Sequence, residues 1–240
     1  MLIEVCANSL QSALNAEKAG AHRIELCSEL AVGGITPSYG LLKAVRRMIT
    51  IPIHVLIRPR SGDFTYSKEE FDCMKTDIET CTDLGFDGIV SGILEKNFNL
   101  DIDRTKALIQ ASGNLNFTFH RAFDWLQNPL EALAILEKLG VHTILTSGQQ
   151  KSAEEGIALL TELDQTASTV TIMPGGGIRP ENIHLFKKQG FQAAHLSGSR
   201  FVQTLDAVPK ISMHAPSFLQ DDAIPISDPE LIRKVVKSVK

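Results

Sequence analysis

The sequence predicts a single-domain α/β protein over residues 1–240, an eight-stranded parallel (β/α)8 barrel of the TIM type. Three observations predict this fold: a length of 240 residues, eight short β-branched or aliphatic runs, and longer amphipathic segments between those runs. Strands that alternate with helices form a parallel sheet with right-handed crossovers, and eight such units close into a barrel. An open doubly wound sheet is the alternative, but no GxGxxG dinucleotide motif follows the first strand.

The runs expected to form strands begin 21 to 35 residues apart, which leaves room for a helix and two turns in each unit. They are Leu2–Cys6, Arg23–Cys27, Ile53–Arg58, Gly88–Ser91, Asn116–His120, Thr143–Thr146, Thr169–Met173 and Ala193–Ser197.

The segments between the strands carry helix start and stop signals, such as the capping-box pair Ser67 and Glu70. A stretch at about 201–227 is expected to be an irregular extension before the last helix and not a second domain. The predicted helical segments are Ser9–Ala19, Ser67–Leu84, Asp101–Ala111, Asn128–Leu139, Glu154–Asp164, Arg179–Gln189 and Asp228–Lys240.

Composition excludes several classes of partner. The net charge of −4 gives no basic excess for binding nucleic acid or an anionic membrane. No run approaches the roughly 20 apolar residues of a membrane span, and the first residues lack the basic start of a signal peptide. We therefore expect a cytoplasmic protein whose cysteines are reduced thiols.

Alternation along the predicted strands turns charged side chains toward the barrel axis. Ile3 and Val5 should face the helices, so Glu4 and Cys6 face inward, and the same reasoning applies to strands two, three and five. Buried charge is costly unless it is paired, so a structural network in which Glu4, Glu25 and Arg58 neutralise one another is expected. The other inward polar residues are Arg23, Cys27, His54, Thr118 and His120.

Polar residues continue past the strand ends, where barrel active sites lie. As an enzyme, the chain would use His120 as general acid or base, with Glu4 or Glu25 as a second proton-transfer group or a divalent-metal ligand. Arg58 and Arg60 would hold a carboxylate or phosphate. No lysine ends a strand, so Schiff-base chemistry is disfavoured, and lyase or isomerase chemistry remains. The candidate catalytic residues are Glu4, Glu25, Arg58, His120 and Asp124.

Two glycine-containing loops follow strands seven and eight, where many barrels bind phosphate. Glycines let backbone N–H groups approach an anion closely. These loops predict a site for a small anionic or phosphorylated ligand, although the glycines could also simply turn the chain. The residues are Gly175, Gly176 and Gly177 in the first loop and Ser197, Gly198 and Ser199 in the second.

Cys6 and Cys27 occupy equivalent inward places on adjacent strands. Neighbouring parallel strands lie about 4.8 Å apart, so the two sulfurs could bind one metal ion. Two thiolates suit a soft ion such as Cu(I). The alternative is that each is an inert buried side chain, which is our interpretation of Cys73 and Cys81.

Several motifs together resemble the CutC family of copper-homeostasis proteins over roughly residues 1–202. The resemblance implies a cytoplasmic barrel, often a homodimer, with copper bound by Cys6 and Cys27. Two functions remain open: a copper-binding protein, or an enzyme acting on a small anionic compound. A pure scaffold would not need to bury so many charges. The motifs are Glu4–Cys6, Arg23–Cys27, Gly33–Ser38, Ile57–Arg60, Gly62–Phe64, Phe119–Asp124, Ile144–Gly148 and Gly175–Ile178.

Overall fold

The computed structural model describes residues 1–211 and 223–239 and contains eight parallel strands in one sheet. Their order is β7-β6-β5-β4-β3-β2-β1-β8, and a bridge between Gly175 and His195 joins the two ends. The predicted barrel is therefore confirmed, with near-complete closure. The strands are β1 Leu2–Ala7, β2 Arg23–Leu26, β3 Ile53–Leu56, β4 Gly88–Ser91, β5 Asn116–Phe119, β6 Thr143–Thr146, β7 Thr171–Pro174 and β8 Ala193–Leu196.

Within residues 1–211 and 223–239, eight α-helices surround the strands, and several of them begin at the predicted capping residues. Ser9 caps the first helix, and Ser67 with Glu70 forms the expected capping box. The pattern did not single out the helix between β2 and β3, which Ser38 caps. The helices are α1 Leu10–Ala19, α2 Tyr39–Met48, α3 Lys68–Asp83, α4 Ile102–Ala111, α5 Pro129–Lys138, α6 Ile157–Thr166, α7 Ile183–Gln189 and α8 Pro229–Val239.

Hydrophobic side chains fill two layers, one outside and one inside the barrel. Ile3 and Val5 are fully buried in the layer between sheet and helices, as the alternation predicts. Inside the barrel, the apolar residues form two smaller clusters, leaving the remaining interior to polar groups. The clusters are Cys6, Cys27, Leu56 and Val90, and Leu145, Met173 and Ala193.

The segment expected to be irregular carries an antiparallel strand pair, β9 Ser199–Gln203 and β10 Ala223–Ser227. Residues 212–222 of that segment, and Lys240, lie outside the described residues. The Ser227 backbone bonds Ser12 and Asn15 of α1, and the buried face of α8 packs on α1 and α7. Within the described ranges, no helix combines the length and apolar character that crossing a bilayer requires.

Candidate functional site

A cavity of about 1150 Å³ opens at the carboxyl ends of the strands. Its wall includes Glu25, Arg58, His120 and Asp124 from the predicted catalytic set. Cys6 also lines it, whereas Glu4 and Cys27 are fully buried and do not form part of the lining. The structure therefore brings most of the candidate residues to one space and places Glu4 and Cys27 behind its wall.

Glu4 lies at the centre of a buried ionic group. One of its carboxylate oxygens accepts from Arg23 Nε at 2.5 Å, and the other lies 2.8 Å from His195 Nδ1. The strand register explains this, since Glu4 is level with Arg23 on β2 and with His195 on β8. Burial alone would raise the pKa of Glu4, but Arg23 and His195 outweigh it and lower the pKa to about 2.

The prediction that Arg58 neutralises Glu4 and Glu25 is wrong. The cation that pairs with Glu4 is Arg23. Arg58 instead donates to three backbone carbonyls, those of Val32, Gly34 and Gly62. Its guanidinium also lies 5.0 Å from the centre of the Phe64 ring. Arg58 therefore ties together the loops after β2 and β3 at the cavity wall.

The two predicted metal-binding cysteines are in contact. Their sulfurs lie 3.3 Å apart, and the Cys6 thiol donates to Glu25 Oε1, also at 3.3 Å. The hydrogen bond with Cys27 and burial raise the pKa of the Cys6 thiol well above its usual value. Burial likewise raises the pKa of Glu25. The other oxygen of Glu25, Oε2, is buried with no hydrogen-bond partner in the described part of the chain.

His120 is a buried neutral imidazole at the cavity wall. Its Nδ1 accepts from the backbone N–H of Ala122 at 3.2 Å, so the ring proton resides on Nε2. That Nε2 finds no partner among the described residues. Burial and the nearby Arg58 lower the pKa of His120 to about 3. Gly92 makes room for the ring, because a Cβ there would lie 2.6 Å from Nδ1.

The Asp124 carboxylate accepts hydrogen bonds from several neighbouring residues. Its carboxylate accepts from Thr146 and Gln149, from the backbone and hydroxyl of Ser147, and from Arg121 at 2.7 Å. These bonds join the loop after β5 to the loop after β6. Asp124 thus shapes this part of the rim and has little capacity left for a ligand.

Some of the predicted anion-binding residues line the cavity and others do not. Gly176 and Gly177 line the cavity, as does the stretch Ser197–Ser199. Gly175 does not, since it bridges to His195 and a Cβ there would lie 2.4 Å from Leu145. Arg60 is also outside the lining and pairs with Glu70 and Asp63.

His195 is the site residue that the sequence reasoning missed. It lies on β8 between Ala194 and Leu196 and faces the interior beside Glu4. Burial alone would lower its pKa, but the Glu25 and Glu4 carboxylates raise it. The same alternation applied to strand eight would have placed His195 inward, so the signal was available. Ligand atoms of Cys6, Glu25 and His195 all lie within 4.8 Å of one another.

A family model described as the CutC family matches residues 1–200. The chain belongs to the CutC family. A CutC family protein of Serratia proteamaculans is 48% identical over 200 residues, which is 83% of this chain and 79% of the relative. A similar protein of Klebsiella pneumoniae is 48% identical over 201 residues, covering 84% and 81% of the two chains.

Solved structures agree with this CutC assignment. A CutC of Streptococcus agalactiae, named for copper homeostasis, superposes with a TM-score of 0.78 at 34% identity. The match covers 82% of this chain and 98% of that structure. A thiamine phosphate pyrophosphorylase of Pyrococcus furiosus, with a TM-score of 0.61 at 15% identity over 99% and 95% of the two chains, shares the fold alone. The match to the family model ends at residue 200. Residues 201–240, which include most of β9 and the whole of β10 and α8, lie beyond it.

Proposed function

We propose that this CutC family member serves copper homeostasis by binding Cu(I) through Cys6 and Cys27. The observation that carries the proposal is the contact of 3.3 Å between the two sulfurs in an apolar surrounding that includes Leu56 and Val90. Soft thiolates favour Cu(I) over hard cations. A cytoplasmic location, where thiols stay reduced, and a homodimer belong to the same proposal and rest on the family resemblance.

The separation of the sulfurs restricts where the ion would sit. With the zinc–thiolate distance of about 2.3 Å as a guide, an ion midway between two sulfurs would hold them roughly 4.6 Å apart. At 3.3 Å, the ion must lie to one side of the line between them unless the thiols move apart. Cys6 is the cysteine that lines the cavity, so Cu(I) would enter from that side.

We expect reduced wild-type protein to bind Cu(I) stoichiometrically, and the double variant Cys6→Ser, Cys27→Ser to lose this binding. Competition with a chromogenic Cu(I) chelator measures the affinity. The matched control is Cys73→Ser, which removes an exposed thiol on α3 and should leave the affinity unchanged. An unchanged affinity in the double variant would show that copper binds elsewhere.

A second candidate function is acid–base catalysis on a small anionic or phosphorylated compound. It is favoured by three buried polar atoms without partners in the described chain, all on residues that line the cavity: Glu25 Oε2, Arg58 Nε and His120 Nε2. Buried polar atoms are normally hydrogen-bonded, so unpaired ones at a cavity are consistent with a polar ligand. In this second function, neutral His120 donates a hydrogen bond from Nε2 and Glu25 accepts a proton.

Millimolar phosphate or sulfate should raise the melting temperature of the protein if the cavity binds such anions. A free ligand at ten times its dissociation constant adds about 1.4 kcal/mol to the free energy of unfolding. Thermal denaturation with sodium chloride of equal ionic strength as the control measures the effect. Equal melting temperatures in phosphate, sulfate and chloride would count against an anion site.

A further inference from the structure

Three neighbouring strands bring a mixed set of ligand atoms together at the inner wall of the cavity. Cys6 lies on β1, Glu25 is level with it on β2, and His195 comes from β8 on the other side of β1. Their ligand atoms lie within 4.8 Å of one another, and all three residues line the cavity. Cys27, which belongs to the cysteine pair, is not a member of this group.

The ring of His195 is held by a carboxylate, as the rings of many metal-binding histidines are. Its Nδ1 is engaged by Glu4 at 2.8 Å, and Glu4 is itself fixed by Arg23. With Nδ1 donating to the carboxylate, the lone pair of neutral imidazole is on Nε2. A histidine that ligates a metal commonly donates its other ring N–H to a carboxylate in this way.

Glu25 offers a buried carboxylate oxygen that is free to bind a cation. Glu25 is 5% exposed, and of its two carboxylate oxygens only Oε1 has a partner among the described residues, the Cys6 thiol. Oε2 is buried with no partner in the described residues. A cation bound here would satisfy Oε2 and would displace the thiol proton of Cys6 and any proton on His195 Nε2, and these protons leave to solvent.

We propose that Cys6, Glu25 and His195 form a binding site for a borderline divalent cation, Zn²⁺, which shares Cys6 with the Cu(I) pair but does not use Cys27. A thiolate, a carboxylate and an imidazole are all ordinary Zn²⁺ ligands, whereas the oxygen donor does not suit Cu(I). Three protein ligands beside an open cavity are the arrangement of catalytic zinc sites, in which the fourth position takes water or substrate. The Zn²⁺ site needs Cys6 but not Cys27, so it does not depend on copper being the cargo of the cysteine pair.

The test uses the reduced full chain and two probes, Zn²⁺ by calorimetry and Co²⁺ by absorption. Co²⁺ at this site should show a thiolate charge-transfer band in the near ultraviolet, because Cys6 is a ligand. Wild-type protein should bind one equivalent of either ion. Glu25→Gln and His195→Gln, which remove one ligand each with little change of shape, should weaken binding by more than about 100-fold, the upper end for outer-shell changes.

Cys27→Ser is the matched control that separates the two sites. It should keep Zn²⁺ and Co²⁺ binding and lose Cu(I), while Glu25→Gln and His195→Gln should do the reverse. Retained Cu(I) binding also shows that those two variants are folded. The proposal is overturned if wild-type protein binds Co²⁺ without the thiolate band. It is equally overturned if Cys27→Ser abolishes Zn²⁺ binding while His195→Gln does not, a result that leaves the Cu(I) proposal intact.

Discussion

Replacing Arg23 with methionine should lower the free energy of unfolding by about 3–5 kcal/mol, the usual cost of breaking a buried ion pair from one side. The Glu4 carboxylate is fully buried and the Arg23 side chain is 12% exposed, so water cannot take over from the lost partner. Methionine keeps most of the apolar contact area, including the neighbourhood of Met173. Urea denaturation of the metal-free protein measures the change.

A double-mutant cycle separates the pair from its surroundings. Glu4→Gln alone should also destabilise, because it leaves the Arg23 guanidinium without its counter-charge. The double variant Glu4→Gln, Arg23→Met should cost less than the sum of the single changes, with a coupling of about 0.5–3 kcal/mol. Additive single effects would contradict the direct pairing of Glu4 with Arg23.

Wild-type protein should lose stability below pH 6.5 more steeply than a His120→Gln variant. The pKa of His120 is about 3 in the folded chain and about 6.5 in an unfolded chain. Between these values the unfolded state binds the extra proton, so stability is fully present above pH 6.5 and falls as the pH falls toward 3. The contribution of His120 is about 1.4 kcal/mol per pH unit.

His54 also contributes to the loss of stability on acidification, because burial and the nearby Arg23 lower its pKa to about 4. Denaturation curves at pH 4 to 7 for wild type and His120→Gln share the His54 contribution, so their difference reports His120. The control is His184→Gln on α7, an exposed histidine outside the cavity lining. Parallel stability curves for wild type and His120→Gln would mean that His120 is not held neutral by burial.

Some features of the site follow from residue patterns along single strands, and others depend on contacts between strands and loops. Strand alternation has a period of two residues and depends only on the chain, so it correctly predicted that Glu25 and His120 face the interior, where both line the cavity. Which residues pair with Glu4 depends on the register between strands, because that register places Arg23 and His195 level with it. Arg58 was assigned to the wrong partner because the carbonyls that bind it belong to loops.

The sequence by itself determined the barrel, the starts of several helices and the inward faces of the strands, since these follow from periodicity and local capping. Only the tertiary structure decided that Cys6 meets Cys27 at 3.3 Å and also meets a carboxylate and an imidazole. The physical reason is that β8 and β2 flank β1 only once the sheet closes. Residues 170 positions apart along the chain then share one wall of a cavity, as Glu25 and His195 do.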